Sequence, residues 1–222
     1  MDSVKNHTGT PFLVSEANLE RLAVSLANKD IHLKRILEEF GPPPLWNREP
    51  GFATLLQIIL EQQVSLASAK ACFDKLKKRI RNLTPQNFVK LSDSELKSIG
   101  FSRQKTAYCR HLAGELIENR LNLTALEALA DSEVKSCLMT VRGIGNWTSD
   151  IYLLMALRRP DVMPGGDLAL HTAWHRLSGE KMPEAGEFIE IAKRWRPYRS
   201  VAARMLWHFY LSRKKNNSAR AC

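Results

Sequence analysis

The chain has 222 residues, enough to bury a sizeable core as one large domain or two compact lobes. Its 44% hydrophobic and 25% charged residues are ordinary for a globular protein, so disorder is not expected, and no apolar run approaches the length of a membrane span. Lys and Arg number 33 against 23 Asp and Glu, a formal charge of +10 that favours a polyanionic partner without saying which one.

The first residues, Met1-Asp2-Ser3-Val4-Lys5-Asn6-His7, are polar and lack the apolar core of a secretory signal, so an intracellular protein is expected. Cys72, Cys109, Cys137 and Cys222 are scattered and form no C-x-x-C pair, which argues against zinc or an iron–sulfur cluster and fits a reducing compartment. Ser15 is placed to cap a helix with Leu19, Leu22, Ala23 and Leu26 on one face, and Ile31, Ile36, Leu37 and Phe40 continue as a second helix. Gly41-Pro42-Pro43-Pro44 breaks the pattern, because consecutive prolines remove donors and keep the residues before them out of the helical region.

From Phe52, apolar residues recur at helical spacing through Leu55, Leu56, Ile59 and Leu60, ending near Glu61-Gln62-Gln63. The next helix is expected to carry Leu66, Ala69, Phe73, Leu76 and Ile80 on its apolar stripe. Its other face carries Lys70, Lys75, Lys77, Lys78, Arg79 and Arg81, a solvated basic surface before it is a nucleic-acid contact. Thr84-Pro85 sets a cap before a proline at the first helical position, and both Ser92-Asp93-Ser94-Glu95 and Thr124-Ala125-Leu126-Glu127 fit a capping box. Gly100 closes the helix begun at Ser92, and Ser102 opens another. Past Asp167, helical spacing resumes with Leu170, Trp174 and Leu177. Two more helices follow, one through Phe188, Ile191 and Ala192 to Trp195 and one over 197–211, ahead of a basic tail. No segment alternates with period two for long enough to form a strand, so an all-α chain of about ten short helices is expected.

The most informative stretch is Leu138-Met139-Thr140-Val141-Arg142-Gly143-Ile144-Gly145-Asn146-Trp147-Thr148. Gly143 and Gly145 flank Ile144, which suits a turn in which glycine takes positive φ, something large approaches the backbone and the isoleucine plugs the core. With Asn146 as N-cap, the following helix would open with amide N–H groups turned outward, a cradle for phosphate. Such a hairpin holds a duplex backbone without choosing a sequence. Glycine turns between helices are common, so the pattern alone also allows a purely structural turn. Asp167 follows Pro164-Gly165-Gly166 and precedes an apolar helical run, the ordinary setting of an N-cap. Capping does not exclude catalysis: amide dipoles orient a carboxylate and keep it ionised, as a group facing a developing cation requires. Cleavage of an N-glycosidic bond passes through such a cation on the sugar. The sequence offers no clear second carboxylate to act as acid.

The hairpin, the Pro164-Gly165-Gly166-Asp167 turn and the helix between them resemble the motif of the helix-hairpin-helix DNA glycosylase superfamily. The resemblance implies a two-lobed all-α fold with the active-site cleft between lobes: a central lobe at 48–160 carrying the hairpin, and a second from 1–47 plus 161–222. It makes Asp167 the catalytic residue. Members that also nick the strand carry a lysine directly after the hairpin, as a Schiff-base nucleophile, where this chain has Trp147. That departure, with Trp195-Arg196-Pro197-Tyr198-Arg199-Ser200-Val201-Ala202 and Leu206-Trp207, is similar to the 3-methyladenine DNA glycosylase II (AlkA-like) group.

The implied activity is monofunctional hydrolysis of the N-glycosidic bond of alkylated purines, 3-methyladenine and 7-methylguanine, after base flipping, leaving an abasic site without lyase activity. Ile58-Ile59-Leu60-Glu61-Gln62-Gln63-Val64-Ser65 resembles the loop that inserts a side chain beside the flipped nucleotide, with Gln63 as the wedge. The expected DNA contacts are Gln63, Ser65, Arg142, Gly143, Ile144, Gly145 and Thr148. Trp147, then Trp46 and Tyr152, are the candidates for stacking a cationic base, while Trp174, Trp195 and Trp207 sit at helical spacing as core. Relatives hold a monovalent cation on hairpin carbonyls, here those of Met139, Val141 and Ile144, as a structural Na+ or K+; no other cofactor is expected. The expected partner is double-stranded DNA with alkylated bases, the chain acting as a monomer on nucleoid or nuclear DNA, away from membranes. A glycosylase for deaminated or oxidised bases, or a non-catalytic hairpin module that only docks on DNA, stay as alternatives.

Overall fold

The computed structural model describes residues 12–220; the leader through residue 11, Ala221 and Cys222 lie outside them. Two helices, α1 (Glu16–Ala27) and α2 (Ile31–Phe40), precede the proline break. A run of seven follows: α3 (Phe52–Glu61), α4 (Leu66–Arg79), α5 (Pro85–Phe88), α6 (Asp93–Ser98), α7 (Arg103–Ile117), α8 (Asp131–Met139) and α9 (Asn146–Met155). The chain closes with α10 (Leu168–Ser178), α11 (Ala185–Ala192) and α12 (Arg199–Arg220). No strand occurs among the described residues, and none of their helices is long and apolar enough to cross a membrane. The chain divides into two compact units, residues 48–157, and residues 1–47 together with 158–222.

In the 48–157 unit, α3 packs against α4, α7 and α9, and Leu55, Leu56, Ile58 and Ile59 have no exposed surface. The helix starts follow local chemistry. Thr84 Oγ1 accepts the Asn87 amide at 3.2 Å with Pro85 as first helical residue. Ser92 and Glu95 close a reciprocal capping box at 3.2 and 2.9 Å, and Ser102 Oγ accepts the Lys105 amide at 3.2 Å. Arg79 and Ser92 hold the Glu95 carboxyl down at about 2. The box expected at Thr124 does not form: Ala125–Ala128 is a single 3₁₀ turn, and the Asn122 side chain accepts the Ala125 amide at 3.2 Å, offering the backbone an alternative to the helix start. On α4, Asp74 pairs with Lys70 at 2.5 Å and Lys77 at 3.4 Å, so the basic face is partly neutralised within itself.

In the other unit, α12 packs against α1, α2 and α10. It runs through Arg220, so the segment expected as a tail is helical backbone. Trp174 and Trp195, both 1% exposed, meet edge to face at 5.5 Å in the core. Asp30 caps α2: its Oδ1 accepts the amides of His32 and Leu33 at 2.9 and 3.1 Å, and its Oδ2 accepts the Trp195 indole N–H at 2.8 Å. Arg204 is buried with Nε donating to Leu45 O at 2.8 Å, and burial lowers its pKa to about 10. Asp161 pairs with Arg199 at 2.8 Å, tying the strand of chain before the Pro164 turn to the start of α12.

Candidate functional site

The hairpin is built by two successive turns that share Val141. Leu138 O accepts the Val141 amide at 3.1 Å and Val141 O accepts the Ile144 amide at 3.0 Å. Ile144 is 5% exposed and plugs the core, as its flanking glycines imply. Gly143 has φ +92°, and a Cβ there would lie 2.2 Å from Tyr108 Cγ, so only glycine fits. Gly145 differs. It is extended at φ −110°, nothing lies within 4 Å of where its Cβ would stand, and it, rather than Asn146, is the N-cap of α9. The first backbone hydrogen bond of α9 runs from Ser149 N–H to Gly145 O at 3.0 Å, so the amides ahead of it form the helix entrance.

Several expected contact residues take other roles. Thr148 is 2% exposed and its hydroxyl accepts Gln62 Nε2 at 2.9 Å, so only its backbone belongs to the entrance. The Ile144 side chain is likewise buried, and only its backbone can face a ligand. Ser65 caps α4, its Oγ accepting the Ser68 amide at 3.1 Å. Arg142 is exposed, with its amide donating to His111 Nδ1 at 3.2 Å. Tyr152 has no exposed surface, its hydroxyl accepts the Gly51 amide at 3.1 Å, and burial pushes its pKa up to about 12. A ring without an open face cannot stack a base, so Tyr152 is core; Trp147 is half-buried in the first turn of α9.

The loop after α3 stands against the hairpin. Arg48 holds Glu61 in a bidentate pair at 3.0 Å, and Gln62 Nε2 reaches Gly143 O at 2.9 Å. Gln63 follows, exposed and at φ +56°. Gln62, Gln63, Gln104, Lys105, Tyr108, Gly143, Ile144 and Gly145 line a cavity of about 370 Å³. Lys105 Nζ donates to Leu60 O at 2.5 Å, and burial pulls its pKa down. Sequence reasoning missed Gln62, Lys105 and Tyr108. Gly143 signals that something approaches its backbone, but nothing local says that it is Tyr108.

The candidate catalytic carboxylate lies in the other unit. Asp167 N–H donates to Pro164 O at 3.0 Å, closing the turn. Gly165 is packed so tightly that a Cβ would fall 2.6 Å from Ile189 Cδ1, and its carbonyl accepts the buried His171 Nε2–H at 2.6 Å. Asp167 N-caps α10, its Oδ1 accepting the amides of Ala169 at 3.0 Å and Leu170 at 3.2 Å and the Trp207 indole N–H at 3.2 Å. Trp207, expected as core, is 8% exposed and therefore core, yet its polar edge serves Asp167. Trp46 is half-buried at φ +48° and meets Trp207 edge to face at 6.5 Å. Asp30 shares the same design of cap plus indole, so that design is not by itself a sign of chemistry. Asp167 differs in being half-buried, between exposed Gly166 and Leu168, where Asp30 is only 7% exposed.

Among the described residues no group of three or more His, Cys, Asp or Glu could hold a metal ion. The oxygens on offer at the hairpin are neutral backbone carbonyls, of the kind an alkali cation takes; that of Val141 already accepts one amide and has a second lone pair.

Both the glycine hairpin and the Asp167 turn fall within residues 56–197, the segment matched by the sequence profile of the HhH-GPD superfamily of base excision DNA repair proteins. The chain belongs to that family. It is similar to DNA-3-methyladenine glycosylase 1 of Schizosaccharomyces pombe, 27% identical over 205 residues that make up 85% of this chain and 89% of that one. A Bacillus subtilis relative bearing a DNA-3-methyladenine glycosylase name is 27% identical over 184 residues; the match covers 79% of this chain and 64% of that relative's length. Among solved structures, the fold matches the S. pombe 3-methyladenine DNA glycosylase in complex with abasic DNA, with a TM-score of 0.77 and 25% identity, covering 84% of this chain and 95% of that one.

Proposed function

We propose that the protein is a monofunctional DNA glycosylase that releases alkylated purines, 3-methyladenine and 7-methylguanine, from double-stranded DNA and leaves an abasic site. The observation that carries this reading is Asp167, oriented by three N–H donors on one oxygen and set in the family motif. A carboxylate so fixed stabilises the cationic sugar as the base departs. Water then bonds to C1′ and gives a proton to the carboxylate, while the base leaves with the electrons of the broken C1′–N bond. Those electrons neutralise the charge that alkylation placed on the ring, so no general acid is needed.

The remaining roles follow from what each residue can offer. The amides at the entrance of α9 take backbone phosphate. Gln63, exposed, fills the gap left by the flipped base. Trp147 in one unit and Trp46 in the other are each half-buried, and each is a candidate aromatic face for a cationic ring. Since Trp147 occupies the place of the lyase lysine, no Schiff base forms. The carbonyls of Met139, Val141 and Ile144 would hold a Na+ or K+, which would supply positive charge toward a phosphate. The protein acts as a monomer.

The deciding experiment incubates the protein with methylated duplex DNA and identifies the released bases by chromatography. Release of 3-methyladenine and 7-methylguanine by the wild type, with no adduct trapped by borohydride, is expected. Binding of lesion DNA without release would make the protein a docking module, and release of only deaminated or oxidised bases from suitable duplexes would move it to another lesion class.

A further inference from the structure

Gln62 stands between the two features of residues 48–157 assigned above to DNA, the glycine turn of the hairpin and the exposed Gln63. We propose that Gln62 is a positioning residue that locks the insertion loop to the hairpin, so that docking of the DNA backbone on the hairpin sets where Gln63 stands. The inference rests on the glycosylase reading and on Gln63 as the inserted side chain.

The geometry supporting it is specific. Gln62 Nε2 donates to Gly143 O at 2.9 Å and to Thr148 Oγ1 at 2.9 Å, which uses both protons of the amide. One acceptor lies in the turn and the other in the first turn of α9, so the side chain spans the part of the hairpin that offers amides to phosphate. The turn itself is held against Tyr108, which leaves no room for even a methyl group on Gly143. On the other side, the Lys105 ammonium donates to Leu60 O at 2.5 Å, a cation placed at the C-terminal end of α3. The loop is thus held at Leu60 and Gln62 on entry and at the Ser65 cap on exit. Gln63 and Val64, both exposed, are the residues between these holds. A left-handed φ of +56° at Gln63, costly for a residue with a Cβ, is maintained by the bonds on its neighbours.

Gln62→Met keeps the length and bulk of the side chain and removes the donor. Excision from duplex DNA should fall about tenfold, the combined size of the two lost hydrogen bonds at net values in the lower half of the usual range. Excision of the same lesion from a single strand, where no partner strand has to be replaced, should stay within about twofold of wild type, as should affinity for undamaged duplex. Gln62→Glu, which sets a carboxylate against the Gly143 carbonyl, should be impaired at least as much on duplex. Lys105→Met, acting on the other hold, should show the same split between duplex and single strand.

A merely structural role would depress both substrates together, and equal losses, or wild-type excision from duplex by Gln62→Met, overturn the inference. Fluorescence of 2-aminopurine beside an abasic-site analogue reads insertion without chemistry. If the wild type releases no base but gives a fluorescence rise that Gln62→Met loses, the glycosylase reading fails and the coupling stands; a rise that the variant retains overturns the coupling.

Discussion

Trp207 donates its indole N–H to Asp167 Oδ1 at 3.2 Å, the oxygen that also accepts the amides of Ala169 and Leu170 at 3.0 and 3.2 Å. The two amides come with the helix that Asp167 caps, whereas the indole comes from α12 and fixes the carboxylate from outside that helix. Trp207→Phe removes this donor and keeps a smaller aromatic ring in its place. Release of methylated purine under single-turnover conditions should fall about 10- to 100-fold, the scale of a hydrogen bond to a charged group. Asp167→Asn retains an acceptor for the cap but not the charge, and should fall by about a thousandfold with little change in melting temperature. Wild-type release by either variant would remove that residue from the mechanism.

Gly143 and Gly145 look equivalent in the sequence and are not equivalent in the fold. A side chain at Gly143 would meet both a φ of +92° and the Tyr108 ring, so Gly143→Ala should lower the free energy of unfolding by about 2–4 kcal/mol. Gly145→Ala has open space and an ordinary φ of −110°, and should cost less than about 1 kcal/mol. Urea denaturation of the two variants checks the contrast; equal costs would mean that the turn is less constrained than its geometry implies.

These contrasts mark where sequence reasoning reaches and where it stops. The caps at Thr84, Ser92 and Ser102 and the plug at Ile144 could be read because donor, acceptor and apolar neighbours lie within a few residues of each other. The all-α class followed from the same short-range periodicity. Gln62 to Gly143 spans 81 residues and Trp207 to Asp167 spans 40, and no local pattern records either bond. Helical spacing placed Trp207 in the core but could not say where its N–H points. Tyr152 was misassigned for a related reason: on the apolar helix α9 both faces look alike in sequence, and the partner that defines its role is the backbone amide of Gly51, 101 residues away. Asn146 is the better N-cap by type, yet the extended backbone of Gly145 takes the position.

Burial gives Tyr152 a pH signature. Its pKa in the folded protein is pushed up to about 12, above the ordinary value of 10.0 it regains on unfolding. Below pH 10 the phenol is neutral in both states and the stabilisation is complete. Above that, the unfolded chain loses the proton while the folded one keeps it, so stability falls as pH rises toward the folded value, by about 2–3 kcal/mol in all. Tyr152→Phe has no such proton. It should start about 1 kcal/mol lower for want of the Gly51 bond and show a flatter decline above pH 10. Urea midpoints of the two proteins from pH 9 upward provide the check, and parallel declines would show that other groups carry the alkaline loss.

Asp30 and Asp167 are natural controls for one another, because each caps a helix and each accepts a tryptophan indole. Asp30 is nearly enclosed, so Asp30→Ala removes the cap and strands the Trp195 N–H in a core position. A loss of about 2–4 kcal/mol is expected, the sum of a cap and an unsatisfied buried donor. Asp167→Ala leaves its indole beside a more open site and should cost about half as much. Catalysis should divide the opposite way. Single-turnover release normalised to folded protein should be unchanged in Asp30→Ala and abolished in Asp167→Ala. If Asp167→Ala instead loses as much stability as Asp30→Ala and still releases base, then Asp167 is a second structural cap and the charge facing the sugar must come from elsewhere.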